Sequence, residues 1–132
     1  MTERDYARKY LRIIPDYPMY AELAIVRVGM RQVKSSTANV RILDISPGGL
    51  RFMSSLNMPA DMSVQLEMHF RVIDQNFRLT GQIIYKSSSE VMQYEYGFHF
   101  NEADETLRTC LKKLFNNMSI KMRRHIVILR LN

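Results

Sequence analysis

The chain has 132 residues, 46% of them apolar, and carries a net charge of +6. That is enough for one domain with its own core and leaves no room for a second, catalytic one. Apolar runs fall far short of the ~20 residues that span a bilayer, the opening Met-Thr-Glu-Arg-Asp-Tyr has no signal-peptide core, and the single Cys110 cannot close an internal disulfide, so a reducing, cytoplasmic setting is expected.

The first 18 residues read as a flexible basic leader. Arg4, Arg8, Lys9 and Arg12 cluster there with Tyr6, Tyr10 and Tyr17, and Tyr20 follows just beyond. A local basic surplus favours an anionic partner. The tyrosines fit either of two roles, anchoring the leader on the domain or stacking on a base. Residues 19–118 then read as β structure closed by a helix. Ala21–Val28 and Val40–Ile45 are rich in β-branched residues. After the turn Ser46-Pro47-Gly48-Gly49, Leu50 and Phe52 resume an alternating strand. Val64, Leu66, Met68 and Phe70 alternate with polar residues, as do Phe77, Leu79, Gly81 and Ile83, and then Tyr94, Tyr96, Phe98 and Phe100. Gly29–Ser36, Asp74–Asn76 and Lys86–Glu90 fall between strands. Short strands with short connections imply a small antiparallel barrel or sandwich.

One helix follows. Asp104 can cap it, and Leu107, Cys110, Leu111, Leu114, Phe115 and Met118 form one stripe that would lie against the barrel. Residues 119–132 form a C-terminal extension. Its apolar Ile126–Leu129 could pack on the domain or make a homodimer.

Catalysis and metal binding find little support. His69, His99 and His125 form no close-spaced ligand pair, and one cysteine cannot make a zinc knuckle. Nucleophile elbows, Walker loops and dinucleotide fingerprints are missing. The aromatics alternate as core-facing sets do, which counts against a nucleic-acid stacking surface. No catalytic residue, metal or cofactor is therefore expected.

Two stretches carry the remaining chemistry. Asp44 and Ser46, two apart at a strand end, share a face. One is a carboxylate acceptor; the other donates or accepts. Pro47 forces a turn, and Gly48 and Gly49 permit positive φ and close backbone approach. Arg8 and Arg12 are four apart, and arginine presents a planar fork to phosphate oxygens or to the O6/N7 edge of guanine. Arg27 and Arg31 repeat the same spacing nearer to Asp44.

Arg8-Lys9-Tyr10-Leu11-Arg12, followed by Asp44-Ile45-Ser46-Pro47-Gly48-Gly49-Leu50-Arg51-Phe52, resembles the PilZ domain, whose hallmarks are Arg-x-x-x-Arg and then Asp/Asn-x-Ser-x-x-Gly. The stretch Tyr96-Gly97-Phe98-His99-Phe100 and the closing helix extend the likeness over about residues 4–118. The resemblance implies a six-stranded antiparallel barrel with a C-terminal helix packed on it. It also implies a receptor for cyclic di-GMP, one or two molecules, with a leader that wraps the ligand. In the family the arginines precede the first strand, which favours Arg8 and Arg12 over Arg27 and Arg31. Arg8 and Arg12 would hold phosphates and guanine edges. Asp44 and Ser46 would contact guanine, and Gly49 would admit the ligand near the backbone. Lys9, Gly48 and Arg51 are additional candidates. The signal would pass to an unidentified downstream protein controlling motility, exopolysaccharide or virulence. The alternative is a PilZ-like interaction module that does not bind the nucleotide.

Overall fold

The computed structural model describes residues 12–117. Arg8, Lys9 and the extension 119–132 lie outside the described residues. Seven strands and one helix follow in order: β1 (Met19–Val28), β2 (Arg31–Gln32), β3 (Ala38–Ser46), β4 (Gly49–Ser54), β5 (Val64–Val72), β6 (Gln75–Glu90), β7 (Gln93–Phe100) and α1 (Glu105–Asn117). The sheet order is β2-β1-β3-β4-β7-β6-β5, and β5 also pairs with β1. All pairings are antiparallel. Six strands therefore close into a barrel, and closure removes the exposed edges of an open sheet. β2 is only a short return outside it.

The alternation along each strand decides what fills the interior. Val40 and Ile42 of β3, Leu50 and Phe52 of β4, Leu66, Met68 and Phe70 of β5, and Tyr96, Phe98 and Phe100 of β7 are all buried. Their rings pack on one another, with Phe52 and Tyr96 centroids 5.0 Å apart and Phe70 and Phe77 5.6 Å apart, which adds to plain area burial. The alternating aromatics of β4, β5 and β7 are thus core. The buried Tyr96 hydroxyl is satisfied twice: it accepts from Met58 N at 2.8 Å and donates to Leu56 O. That ties the β4–β5 loop to the wall.

α1 begins where its chemistry predicts. Asp104 Oδ1 accepts from Leu107 N at 2.8 Å, an N-cap. Leu107, Cys110, Leu111 and Leu114 are buried as one stripe. The Cys110 thiol donates to Gln75 Oε1 at 3.2 Å, a packed position with a polar neighbour.

Two features depart from the sequence reading. Lys86–Glu90 is strand rather than gap: β6 stays paired with β7 as far as Glu90↔Gln93, with a register slip between Ser88 and Glu90. β5 pairs with β6 only up to Gly81, so this part of the hairpin has no second neighbour. Its ladder hydrogen bonds need no apolar alternation. Second, among the described residues the only glycine with positive φ is Gly29. Gly48 and Gly49 turn the chain with ordinary φ, and the need for glycine at 49 has a different cause, given below.

Two β-bulges matter for function. In β3 the register slips between Ile42 and Asp44, and in β6 between Ile83 and Tyr85. Each adds one residue and reverses which side chains face inward. Without them, Asp44 and Tyr85 would continue the inward series of Val40, Ile42 and of Leu79, Gly81, Ile83. With them, Ile45 turns into the core, fully buried, while Asp44 and Tyr85 sit on the outer wall.

Candidate functional site

The registers of four neighbouring strands align one outer row: Asp44 (β3) opposite Arg51 (β4), Arg51 opposite Gly97 (β7), and Gly97 opposite Tyr85 (β6). The next row holds Ser46, Gly49, His99 and Gln82. The Asp44–Gly49 turn is therefore the corner of a patch spread over the barrel wall, not an isolated hairpin.

The leader completes this corner. β1 pairs with β3 no further than Met19↔Ile42, which leaves Asp44–Ser46 with an open edge. Ile13 takes it in an antiparallel bridge, Ile13 N to Ile45 O at 2.8 Å and Ile45 N to Ile13 O at 2.9 Å. The Ile13 side chain is fully buried. Alternation then turns Arg12 outward beside Asp44, with Arg12 Nε 3.4 Å from Asp44 Oδ1.

Asp44 is 2% exposed, so its charge needs partners. Arg51 Nε donates to Oδ2. Arg51 Nη1 also lies 3.2 Å from Glu95 Oε2, and the Tyr85 hydroxyl donates to the same oxygen at 3.3 Å. The result is a chain of groups, Arg12–Asp44–Arg51–Glu95–Tyr85. Partial burial disfavours the Arg51 cation, but the hydrogen bond and charge of Asp44, with the charge of Glu95, outweigh it and hold the guanidinium above its ordinary pKa. Burial, then the Glu95 charge, pushes the Tyr85 phenol up, so it stays a donor.

One acceptor in this chain is unused. Among the described residues, Asp44 Oδ1 accepts no hydrogen bond, although Arg12 stands 3.4 Å away. A buried carboxylate oxygen in that state is open to a ligand donor. Guanine has such donors on its N1 and N2. The Ser46 hydroxyl donates to Gly49 O at 3.2 Å and keeps its lone pairs for a second partner.

The glycines of the turn have unequal roles. A β-carbon on Gly49 would stand 2.2 Å from Phe98 O and 3.2 Å from His99 Cα, whereas one on Gly48 would meet nothing within 4 Å. Gly49 lets β4 lie against β7, and the open approach is at Gly48. Gly97 makes room for the Tyr85 ring, whose Cε1 would be 2.1 Å from an added β-carbon.

Of the residues expected from sequence, the fold brings together Arg12, Asp44, Ser46, Gly48, Gly49 and Arg51. Arg27 and Arg31 lie in the β1–β2 pairing, opposite Gln32 and Val28, at the end of β1 remote from Met19↔Ile42 and the turn. Glu95 and Tyr85 were not foreseen. Glu95 could be placed outward from its alternation with Tyr94 and Tyr96. Tyr85 could not, because the bulge before it leaves no mark in the residue pattern.

Among the described residues no group of three His, Cys, Asp or Glu could hold a metal, and no helix is long and apolar enough to cross a membrane. No protein of curated function matches the chain. Solved structures do resemble it. The PilZ domain of YcgR from Escherichia coli, with cyclic di-GMP, is 19% identical, with a TM-score of 0.58, over 88% of this chain and 94% of that one. The inhibitor of motility MotI/DgrA from Bacillus subtilis is 10% identical, with a TM-score of 0.55, over 83% of this chain and 52% of that one. PlzA from Borreliella burgdorferi, in complex with cyclic di-GMP, is 19% identical, with a TM-score of 0.50, over 89% of this chain and 57% of that one. The chain thus spans about half the length of MotI/DgrA and PlzA, and at these identities the likeness is one of fold. The family model of the PilZ domain matches residues 6–117, and the chain belongs to that family.

Proposed function

We propose that the chain is a cytoplasmic receptor for cyclic di-GMP and works by binding rather than catalysis. One observation carries this: the buried Asp44 carboxylate, whose Oδ1 accepts no hydrogen bond among the described residues, stands 3.4 Å from the half-exposed Arg12 on the outer wall. Guanine donors and ligand phosphates would thus meet a carboxylate and a cation at one corner, which is what a guanine nucleotide requires. Arg8 and Lys9 would add to the cation set from the leader. Arg12 is half exposed and reaches Asp44 from a single anchored residue, so it can turn from carboxylate to phosphate at little cost. Arg51, held between Asp44 and Glu95, keeps the Asp44 side chain in place. Two of the similar solved structures carry cyclic di-GMP by their description, which fits the proposal.

The ligand would pull the leader onto the barrel wall, and the altered surface would be read by a partner protein. Heteronuclear spectra of the full chain with added cyclic di-GMP test the site. Amide shifts concentrated at Arg12–Ile14, Asp44–Gly49 and Arg51 are expected, weakened by Arg12→Ala and lost with Asp44→Ala. Shifts that spare these residues, or none at all, would refute the proposal and leave a module that acts only through protein partners.

A further inference from the structure

The outer row that begins at Asp44 ends in an aromatic ring that neither motif includes. Tyr85 is 37% exposed, turned outward by the bulge after Ile83. Its ring does not project into solvent. The Cδ1–Cε1 edge occupies the space above Gly97 where a side chain would begin. Its hydroxyl is fixed on Glu95 Oε2 at 3.3 Å, and Glu95 is held in turn by Arg51. Two constraints thus set the ring: the empty seat at Gly97 and the tether at Glu95.

This places the ring over β7, one strand from Arg51 and two from Asp44. Neighbouring strands are ~4.8 Å apart, so the ring lies roughly 10 Å from the Asp44 column. Aromatic rings held on a barrel wall next to cations are how base faces are gripped without sequence-specific hydrogen bonds. Of the other described tyrosines, Tyr94 and Tyr96 are core-facing. Tyr17 and Tyr20 are exposed, and among the described residues no hydrogen bond or neighbouring glycine positions their rings.

We propose that Tyr85 is the stacking residue of this site, supporting a purine face of the ligand on the far side of Arg51 from Asp44. The ligand class is then a dinucleotide, since one end meets the Asp44 corner and a base reaches the ring across Arg51. The inference rests on the cyclic di-GMP reading and extends it to a residue outside both motifs.

The test is calorimetric titration of the full chain with cyclic di-GMP, together with spectra of protein labelled in its tyrosine rings. Tyr85→Ala should weaken binding on the order of tenfold or more, the scale of one base–aromatic stack. Tyr85→Leu, which keeps bulk over Gly97 but has no π face, should lose as much, and Tyr85→Phe should restore binding to within about threefold. Ligand should also shift the Tyr85 ring protons upfield through the ring current of a stacked base, which a merely structural tyrosine would not show. Wild type that binds while Tyr85→Ala and Tyr85→Leu bind within about twofold of it overturns this proposal alone. So does a loss that follows Tyr20→Ala instead. Wild type that does not bind overturns the receptor reading and this proposal with it.

Discussion

Gly48 and Gly49 are adjacent in one turn, yet a methyl group should affect them in opposite ways. At Gly49 the new carbon would stand 2.2 Å from a backbone oxygen, Phe98 O, and 3.2 Å from both Phe98 C and His99 Cα. No rotamer change relieves a contact with backbone. The β4–β7 pairing Gly49↔His99 and Leu50↔Phe98 must open by about an ångström, against the ladder and the packed Phe52–Tyr96 pair. Overpacking of this kind costs about 1–3 kcal/mol, and the upper half of that range applies because the obstacle cannot rotate away. At Gly48 nothing lies within 4 Å and φ is ordinary. Alanine there loses no contact and restricts the unfolded chain, a gain of about 0.4–1 kcal/mol. For a domain of this size each kcal/mol moves Tm by roughly 3–6 °C. Thermal unfolding by circular dichroism should therefore place Gly49→Ala several degrees below wild type and Gly48→Ala level with it or slightly above. Equal losses at both positions, or a stable Gly49→Ala, would refute the reasoning.

Further outcomes follow from single contacts. Ile13→Ala removes a fully buried side chain that holds the leader against β3; it should cost about 2–5 kcal/mol in denaturant unfolding and speed hydrogen exchange at the Ile45 amide. Asp104→Ala removes the cap on Leu107 N and should cost about 1 kcal/mol, without altering the Asp44 corner in amide spectra. The phenols of Tyr85 and Tyr96 are both pushed up, chiefly by burial. The unfolded chain then loses these protons first. Stability should hold below the ordinary phenol range near pH 10 and fall as pH rises through and above it, visible as a declining Tm with Tyr96→Phe less affected than wild type.

The residue pattern reveals the strands with polar–apolar alternation and the capped, striped helix, because those elements have one face against the core. It misjudges Lys86–Glu90, where the hairpin extends past the reach of β5 and alternation has nothing to report. The site is legible in part for a similar reason. Asp44, Ser46 and Gly49 sit at a turn whose proline and glycines stand out. Their outward placement depends on the β3 bulge, and the reason for Gly49 is a contact with β7 some fifty residues on, which no local pattern contains. Ile13 reads as an ordinary apolar residue in a basic leader. Only the open edge of β3 past Ile42 makes it the anchor that sets Arg12 beside Asp44. Arg51 follows the motif closely enough to be suspected, but Glu95 and Tyr85 enter through strand order, which places β7 beside β4 and β6 beside β7.

The central claim is that Asp44 and Arg12 form the corner of a cyclic di-GMP site, and titration of the full chain with cyclic di-GMP in a calorimeter tests it most directly. Saturable binding at micromolar or lower concentration is expected, with Asp44→Ala and Arg12→Ala each weakening it by tenfold or more while the thermal unfolding of the Arg12 variant stays close to wild type. No heat from wild type, or binding indifferent to both substitutions, would contradict the account.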